Sequence, residues 1–195
     1  MYRSFLFAPG NHARKVLKVF GCGADNVILD LEDAVAKAEK VATRALVVEA
    51  LKRERTCGAY IRVNAFSTEF CYGDAVAVVG PGLDGIILPM VESREQIVAF
   101  DWLVGSLERE RGLSPGAIDI IPIIETGKGI ANARAIAAAG TRVKRMAFGA
   151  GDYPRHEHGM DARRERAGAC TGGDGCGVPR RRPRSADRHR VGAYK

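Results

Sequence analysis

What this 195-residue sequence lacks narrows the field first. No apolar run approaches the ~18 residues needed to span a bilayer. The opening stretch MYRSFLFAPGNHARK has a short apolar patch but no cleavage-site pattern, so no secretory signal is expected and a cytoplasmic location is the default. Five cysteines (Cys22, Cys57, Cys71, Cys170, Cys176) make an odd set without paired short spacing, which favours free thiols over a disulfide framework or a zinc ribbon. No G-x-G-x-x-G follows the first apolar run, where FAPGNHARK stands, and this counts against a dinucleotide-binding doubly wound sheet. His156 and His158 flank Glu157 without the H-E-x-x-H spacing that puts two ligands on one helical face.

The last absence is local. From Arg155 to Lys195 there is no Leu, Ile, Phe or Trp, while ten arginines and one lysine face five acidic residues. The first 154 residues are nearly balanced, with 19 basic and 18 acidic groups, so most of the net charge of +7 belongs to the tail. Such a stretch cannot bury enough apolar surface to offset the entropy of ordering it, and residues 154–195 read as a disordered tail. A basic tail can hold polyanions, which leaves open a non-catalytic, nucleic-acid-binding reading. No aromatic interleaving or nucleic-acid motif supports that reading, so nucleic acid is not expected as a partner, nor is a membrane.

What is present over residues 1–153 is a repeated unit. Apolar runs at 4–8, 26–31, 59–63, 84–89, 119–124 and 145–150 are separated by stretches of helical character, at intervals of about 22 to 34 residues. The spacing predicts helices over 11–20, 34–53, about 75–79, 93–111 and 129–140, the fourth opening with the capping-box pattern S-R-E-Q. Alternation of this kind builds either an open α/β sheet or a TIM-type (β/α) barrel, and the missing glycine fingerprint favours the barrel. About six of its eight units are present, so 1–153 is expected to be a partial barrel domain.

The runs end in functional groups. Asp30, Glu32 and Asp33 follow the second, Arg62 and Asn64 the third, Glu92 the fourth, Glu125 the fifth and Asp152 the sixth. Strand ends of a barrel share one mouth, where carboxylates and an arginine suggest a divalent metal and an anionic substrate. Glu125 and Asp152 end adjacent strands and can share one hard cation, or each can cap a helix or meet a lysine. Arg62, inside an apolar strand, either pairs with a carboxylate such as Asp30 or awaits a substrate carboxylate that its planar fork matches. Asp33 is read as the N-cap of a helix beginning at Ala34. Burial of Asp30 and Glu32 without a cation would be costly.

The ordered motifs RSFLFAPGN (3–11), VILDLEDAV (27–35), RVN (62–64), LPMVES (88–93), IIET (123–126) and FGAGDY (148–153) closely resemble the citrate lyase β-subunit and HpcH/HpaI aldolase family. The resemblance covers residues 1 to about 153. It implies a barrel of the phosphoenolpyruvate/pyruvate type that breaks or forms carbon–carbon bonds with Mg²⁺ as cofactor. Carried over by position, Glu125 and Asp152 hold the metal, Glu125 also abuts substrate, Arg62 grips the substrate carboxylate, and Asp30 and Glu32 act around the metal's waters. LEDAV points to the branch acting on CoA esters: a citryl-, malyl- or citramalyl-CoA thioester would yield acetyl-CoA and a keto acid. The alternative is a pyruvate-type aldolase without CoA. The intact family implies a homo-oligomer. Met90 stands where many relatives carry lysine, and Gly151 where many carry glutamate. The Arg-, Gly- and Pro-rich sequence from Pro154 reads as out-of-frame coding, with strands seven and eight and a C-terminal segment replaced, which would impair activity.

Overall fold

A computed structural model of the chain describes residues 2–151. The expectations for Asp152, for the tail over 154–195 and for a change of frame near residue 154 lie outside these residues.

Six short strands carry the fold: β1 (Phe5–Pro9), β2 (Asn26–Asp30), β3 (Gly58–Arg62), β4 (Gly85–Leu88), β5 (Asp119–Ile124) and β6 (Ala147–Phe148). They pair in chain order, every neighbour parallel. Between them run α1 (Ala13–Val19), α2 (Lys40–Leu51), α3 (Cys71–Val78), α4 (Arg94–Glu110) and α5 (Gly127–Ala137). A doubly wound sheet would reverse its strand order at a switch point, whereas this order never reverses. The described residues therefore form a curled, unclosed part of a TIM-type barrel.

Strand period two divides the apolar side chains between two layers. Val27, Leu29, Ala59, Ile61, Ile86, Leu88 and Ile120 face the helices, joining Val47, Phe100 and Val104 in the larger cluster. Ile28, Tyr60, Ile87, Ile121 and Ile123 point the other way and form a smaller inner cluster backed by Phe5. The same alternation, carried one step past the inner layer, turns Asp30, Arg62 and Glu125 toward the barrel interior. No described helix is long and apolar enough to cross a membrane.

Most element bounds match the sequence period, with two departures. The third helix begins at Cys71 rather than near Ala75. The second does not begin at Ala34: a loop and a single 3₁₀ turn at Lys37–Glu39 precede α2 at Lys40. That loop carries Glu32 and Asp33, so its shape bears directly on the site.

Candidate metal and acid-binding site

Parallel register sets Asp30 beside Arg62, each the last residue of its strand. Arg62 Nε donates to Asp30 Oδ1 and Nη2 to Oδ2, both at 2.7 Å, a bidentate fork with little exposure on either side. The Asp30 oxygens also accept from the backbone N–H of Glu32 at 2.9 Å and of Ala34 at 3.0 Å. One carboxylate thus orients the arginine and folds the following loop back over it. The remaining arm, Nη1, reaches Glu32 at 3.1 Å and Asp33 at 3.2 Å. The ring of Phe7 lies 5.2 Å from the guanidinium carbon, on its face.

Of the two roles open to Arg62, this structure shows the paired one. Asp33 departs from expectation, since it caps no helix at Ala34 and instead lends its carboxylate to Arg62. The physical reason is that the Asp30 side chain already serves the loop amides, including that of Ala34, which leaves Asp33 free to swing toward the cation.

Glu125 follows β5 and is only 4 % exposed. Its Oε2 accepts from the backbone N–H of Met90 at 3.1 Å. Met90, at φ 54°, is the single non-glycine among the described residues in the left-handed region, and this turn aims its N–H at the carboxylate. From the other side the chain passes so close at Gly149 that a Cβ there would strike the Glu125 side chain. The capping of α5 falls to the next residue: the Thr126 hydroxyl accepts from Gly129 N–H at 3.0 Å and donates to Glu92 at 3.0 Å. Glu92 also meets Lys128 at 3.1 Å and so anchors the start of α5.

Asp30, Glu32 and Asp33 therefore share one guanidinium, and Glu125 lies near enough to act on Glu32. Burial pushes Glu32 up to about 8; Arg62 pulls it down, while Asp33, Glu125 and Asp30 drive it further up. Burial alone would lower Arg62, but the Asp30 hydrogen bonds and the charges of Asp30, Glu32 and Asp33 outweigh it and hold the guanidinium ionised. Among the described residues no three acidic, His or Cys side chains stand together as a ready cation cage. The donor chemistry fits Mg²⁺ all the same, because that ion takes one or two carboxylates and leaves its other positions to water and substrate. Glu125 would supply one, and the second ligand expected from sequence, Asp152, falls beyond the described residues.

Two cavities meet at Arg62. One, of about 390 Å³, is the apolar barrel interior lined by Ile28, Ile87, Ile121 and Ile123, with Glu125 at its rim. The other, of about 530 Å³, opens past Phe7, Pro9, Asp30 and Asp33.

Sequence reading missed the support beneath this cluster. Lys40 Nζ donates to Leu31 O at 3.1 Å, Glu32 O at 2.7 Å and Asn64 Oδ1 at 2.6 Å, tying the acidic loop to the end of β3. Asn64 in turn donates to Asp74 at 2.6 Å, and Asp74 is held by Arg44 at 2.7 Å. In the sequence Lys40 looks like one more solvated helix cation. Only the loop that delays α2 brings its ammonium under the carbonyls.

The profile of the HpcH/HpaI aldolase/citrate lyase family matches residues 3–166. The citrate lyase β-subunit of Haemophilus influenzae is 35% identical over 156 residues, covering 79% of this chain and 54% of that protein. The L-malyl-CoA/β-methylmalyl-CoA lyase of Cereibacter sphaeroides is 36% identical over 157 residues, covering 77% and 49%. Among solved structures, the Mycobacterium tuberculosis citrate lyase β-subunit complexed with oxaloacetate and magnesium has a TM-score of 0.61 at 32% identity, covering 78% of this chain and 60% of that one. Haloferax volcanii malate synthase has a TM-score of 0.73 at 19% identity, a likeness of fold alone. The chain spans about half the length of the curated relatives it matches.

Proposed function

Since the chain belongs to the HpcH/HpaI aldolase/citrate lyase family, we propose that residues 1–153 carry the acid- and metal-binding side of a carbon–carbon lyase. Its substrate is a 3-hydroxyacyl-CoA thioester of the citryl-, malyl- or citramalyl-CoA type, and its products are acetyl-CoA and a keto acid. The observation that carries the reading is the gathering of acids at the strand ends: Asp30, Glu32 and Asp33 on one arginine, with Glu125 close enough to raise Glu32. The magnesium and oxaloacetate bound to the M. tuberculosis relative support both the ion and the class of acid.

When bound, Mg²⁺ supplies Lewis-acid stabilisation of negative charge on oxygen. Glu125 would hold it, together with Asp152. Arg62 grips the carboxylate of the acid through Nη1, where the more exposed Asp33 now sits, while Asp30 keeps Nε and Nη2 fixed. Glu32, beside Nη1, accepts the proton of the 3-hydroxyl as the bond between C2 and C3 breaks and its electron pair moves toward the thioester, and C2 of the resulting enolate then takes a proton from water to give the acetyl group. Asp30 is a poor acceptor, because both of its oxygens are filled by Arg62 and the loop amides.

Calorimetric titration with Mg²⁺, followed by assay on citryl-, malyl- and citramalyl-CoA, tests this. The chain should bind one Mg²⁺, Glu125→Gln should lose it, and keto acid should appear only with the ion present. Equal Mg²⁺ binding by wild type and Glu125→Gln would overturn the assignment. Turnover of hydroxy-keto acids without CoA would move the reading to a pyruvate-type aldolase.

A further inference from the structure

Lys40 breaks a local rule. It is the first residue of α2, where the positive end of the helix dipole disfavours a cation. Its ammonium has three donors, and all three go to uncharged acceptors: Leu31 O at 3.1 Å, Glu32 O at 2.7 Å and Asn64 Oδ1 at 2.6 Å. These bonds all run to residues outside the helix, so they serve the loop and not α2. Departures of this kind from local preference concentrate at functional sites.

What the bonds fix is the backbone that carries Glu32. The Glu32 N–H donates to Asp30 at 2.9 Å, and the carbonyl of that same peptide, Leu31 O, accepts from Lys40. On the other side of the Cα, Glu32 O accepts from Lys40 as well. Both peptide planes flanking Glu32 are therefore pinned, and only side-chain torsions separate them from the carboxylate that meets Arg62 Nη1. The third bond joins this hold to the rest of the barrel. Buried Asn64 donates its side-chain amide to Leu31 O at 3.1 Å and to Asp74 Oδ2 at 2.6 Å, and its backbone N–H to the same Asp74 oxygen at 2.9 Å. Asp74, also buried, accepts from Arg44 Nε at 2.7 Å, one turn along α2 from Lys40. The Arg44 guanidinium lies where Gly73 has no side chain, and a Cβ there would strike it. Lys40, Asn64, Asp74 and Arg44 thus close a ring of bonds through α2, α3 and the end of β3.

We infer that Lys40 is a positioning residue for Glu32, holding its carboxylate at the Arg62 arm where it takes the proton of the substrate hydroxyl. The role of Glu32 rests on the lyase reading; the hold on the loop does not. Asp30 and Arg62 are set side by side by strand register, without Lys40. Loss of the ammonium should therefore impair proton transfer and leave the grip on the substrate carboxylate intact.

Lys40→Met in the full chain tests this, with Arg55→Met as its structural control. Arg55 likewise holds two carbonyls, those of Leu51 and Gly82, together with Asp84, but it does so ahead of β4, at the opposite strand ends. The amides of Glu32, Ala34 and Val35 all donate within the acidic loop. Without Mg²⁺ their hydrogen exchange should quicken in Lys40→Met and stay as in the wild type in Arg55→Met. In turnover of the CoA thioesters with Mg²⁺, Lys40→Met should lose kcat about a hundredfold, the cost of a group misplaced by about an ångström, with KM near that of the wild type. Arg55→Met should keep both constants. Unchanged exchange at these three amides would overturn the inference, as would a kcat loss shared by Arg55→Met or a Lys40→Met defect confined to KM. A wild type that turns over no thioester sinks the lyase reading alone, and the exchange comparison then decides the inference.

Discussion

Asp30 and Arg62 bind each other so completely that neither can be changed alone at small cost. Removing one partner of a buried, hydrogen-bonded ion pair leaves the other desolvated, a loss of roughly 3–5 kcal/mol. Asp30→Ala also strips two loop amides of their acceptor. Urea denaturation should show it destabilised by about 3 kcal/mol. Arg62→Met added to it should restore part of the loss, because the orphaned cation is gone, and the double-mutant cycle reads this as coupling. This pair was half legible in the sequence. An arginine inside an apolar strand announces a buried partner, and Asp30 ends the preceding strand, but only register places them side by side. Asp33 was not legible at all. Its side chain can cap or pair with equal ease, and the choice rests on the Asp30 oxygens having taken the loop amides first.

The helices show why element type was readable while some boundaries were not. Ser93 and Gln96 carry a local signal, and the capping box that the spacing predicts is present, with α4 beginning one residue later. α2 lacks such a signal: its N-cap position is Glu39, without a side-chain cap, and the helix starts where Lys40 is drawn under the Leu31 and Glu32 carbonyls. That is a tertiary cause, invisible to periodicity. A second tertiary device ties α4 to β5. Glu108, fully buried, accepts from the backbone N–H of Gly116 and Ile118 at 3.0 Å each and from Arg142 at 2.6 Å. Burial alone would raise its pKa, but these donors outweigh it and hold the carboxyl below its ordinary value. A depressed folded pKa gives stability that is present above the unfolded value, near 4.5, and is lost as pH falls through the folded one. The urea midpoint of the wild type should therefore drop from pH 7 toward pH 3. Glu108→Gln, less stable at pH 7, should show a flatter pH dependence. A parallel fall in both proteins would show that another group governs the acid limb.

At the scale of the molecule, the outer layer between strands and helices is thick and closed, while the inner layer is five residues around an open chamber. The sequence period conveyed the first layer well, because strands buried on both faces read as continuous apolar runs. It conveyed little of the second, since six units cannot say how the inner face is filled. The carboxylate cluster sits on the rim of that thinner layer, and its charge bears on the whole fold. Asp33, Glu125 and Asp30 each raise Glu32, so every further negative charge in this cluster is resisted. A dication that binds the folded site and not the unfolded chain stabilises by RT ln(1 + [L]/Kd), about 2.7 kcal/mol at a hundredfold excess over Kd. Thermal unfolding should thus shift upward with MgCl₂ in the millimolar range, and NaCl of equal ionic strength should not reproduce the shift. Glu125→Gln separates the two contributions. Its amide oxygen can still accept from Met90 N–H while one negative charge is removed, so without metal the variant should be at least as stable as the wild type. With Mg²⁺ its midpoint should stay where it was. A Glu125→Gln protein that is weaker without metal and still responds to Mg²⁺ would mean that Glu125 serves the fold rather than the ion, and that the dication is held by the Asp30–Glu32–Asp33 loop instead.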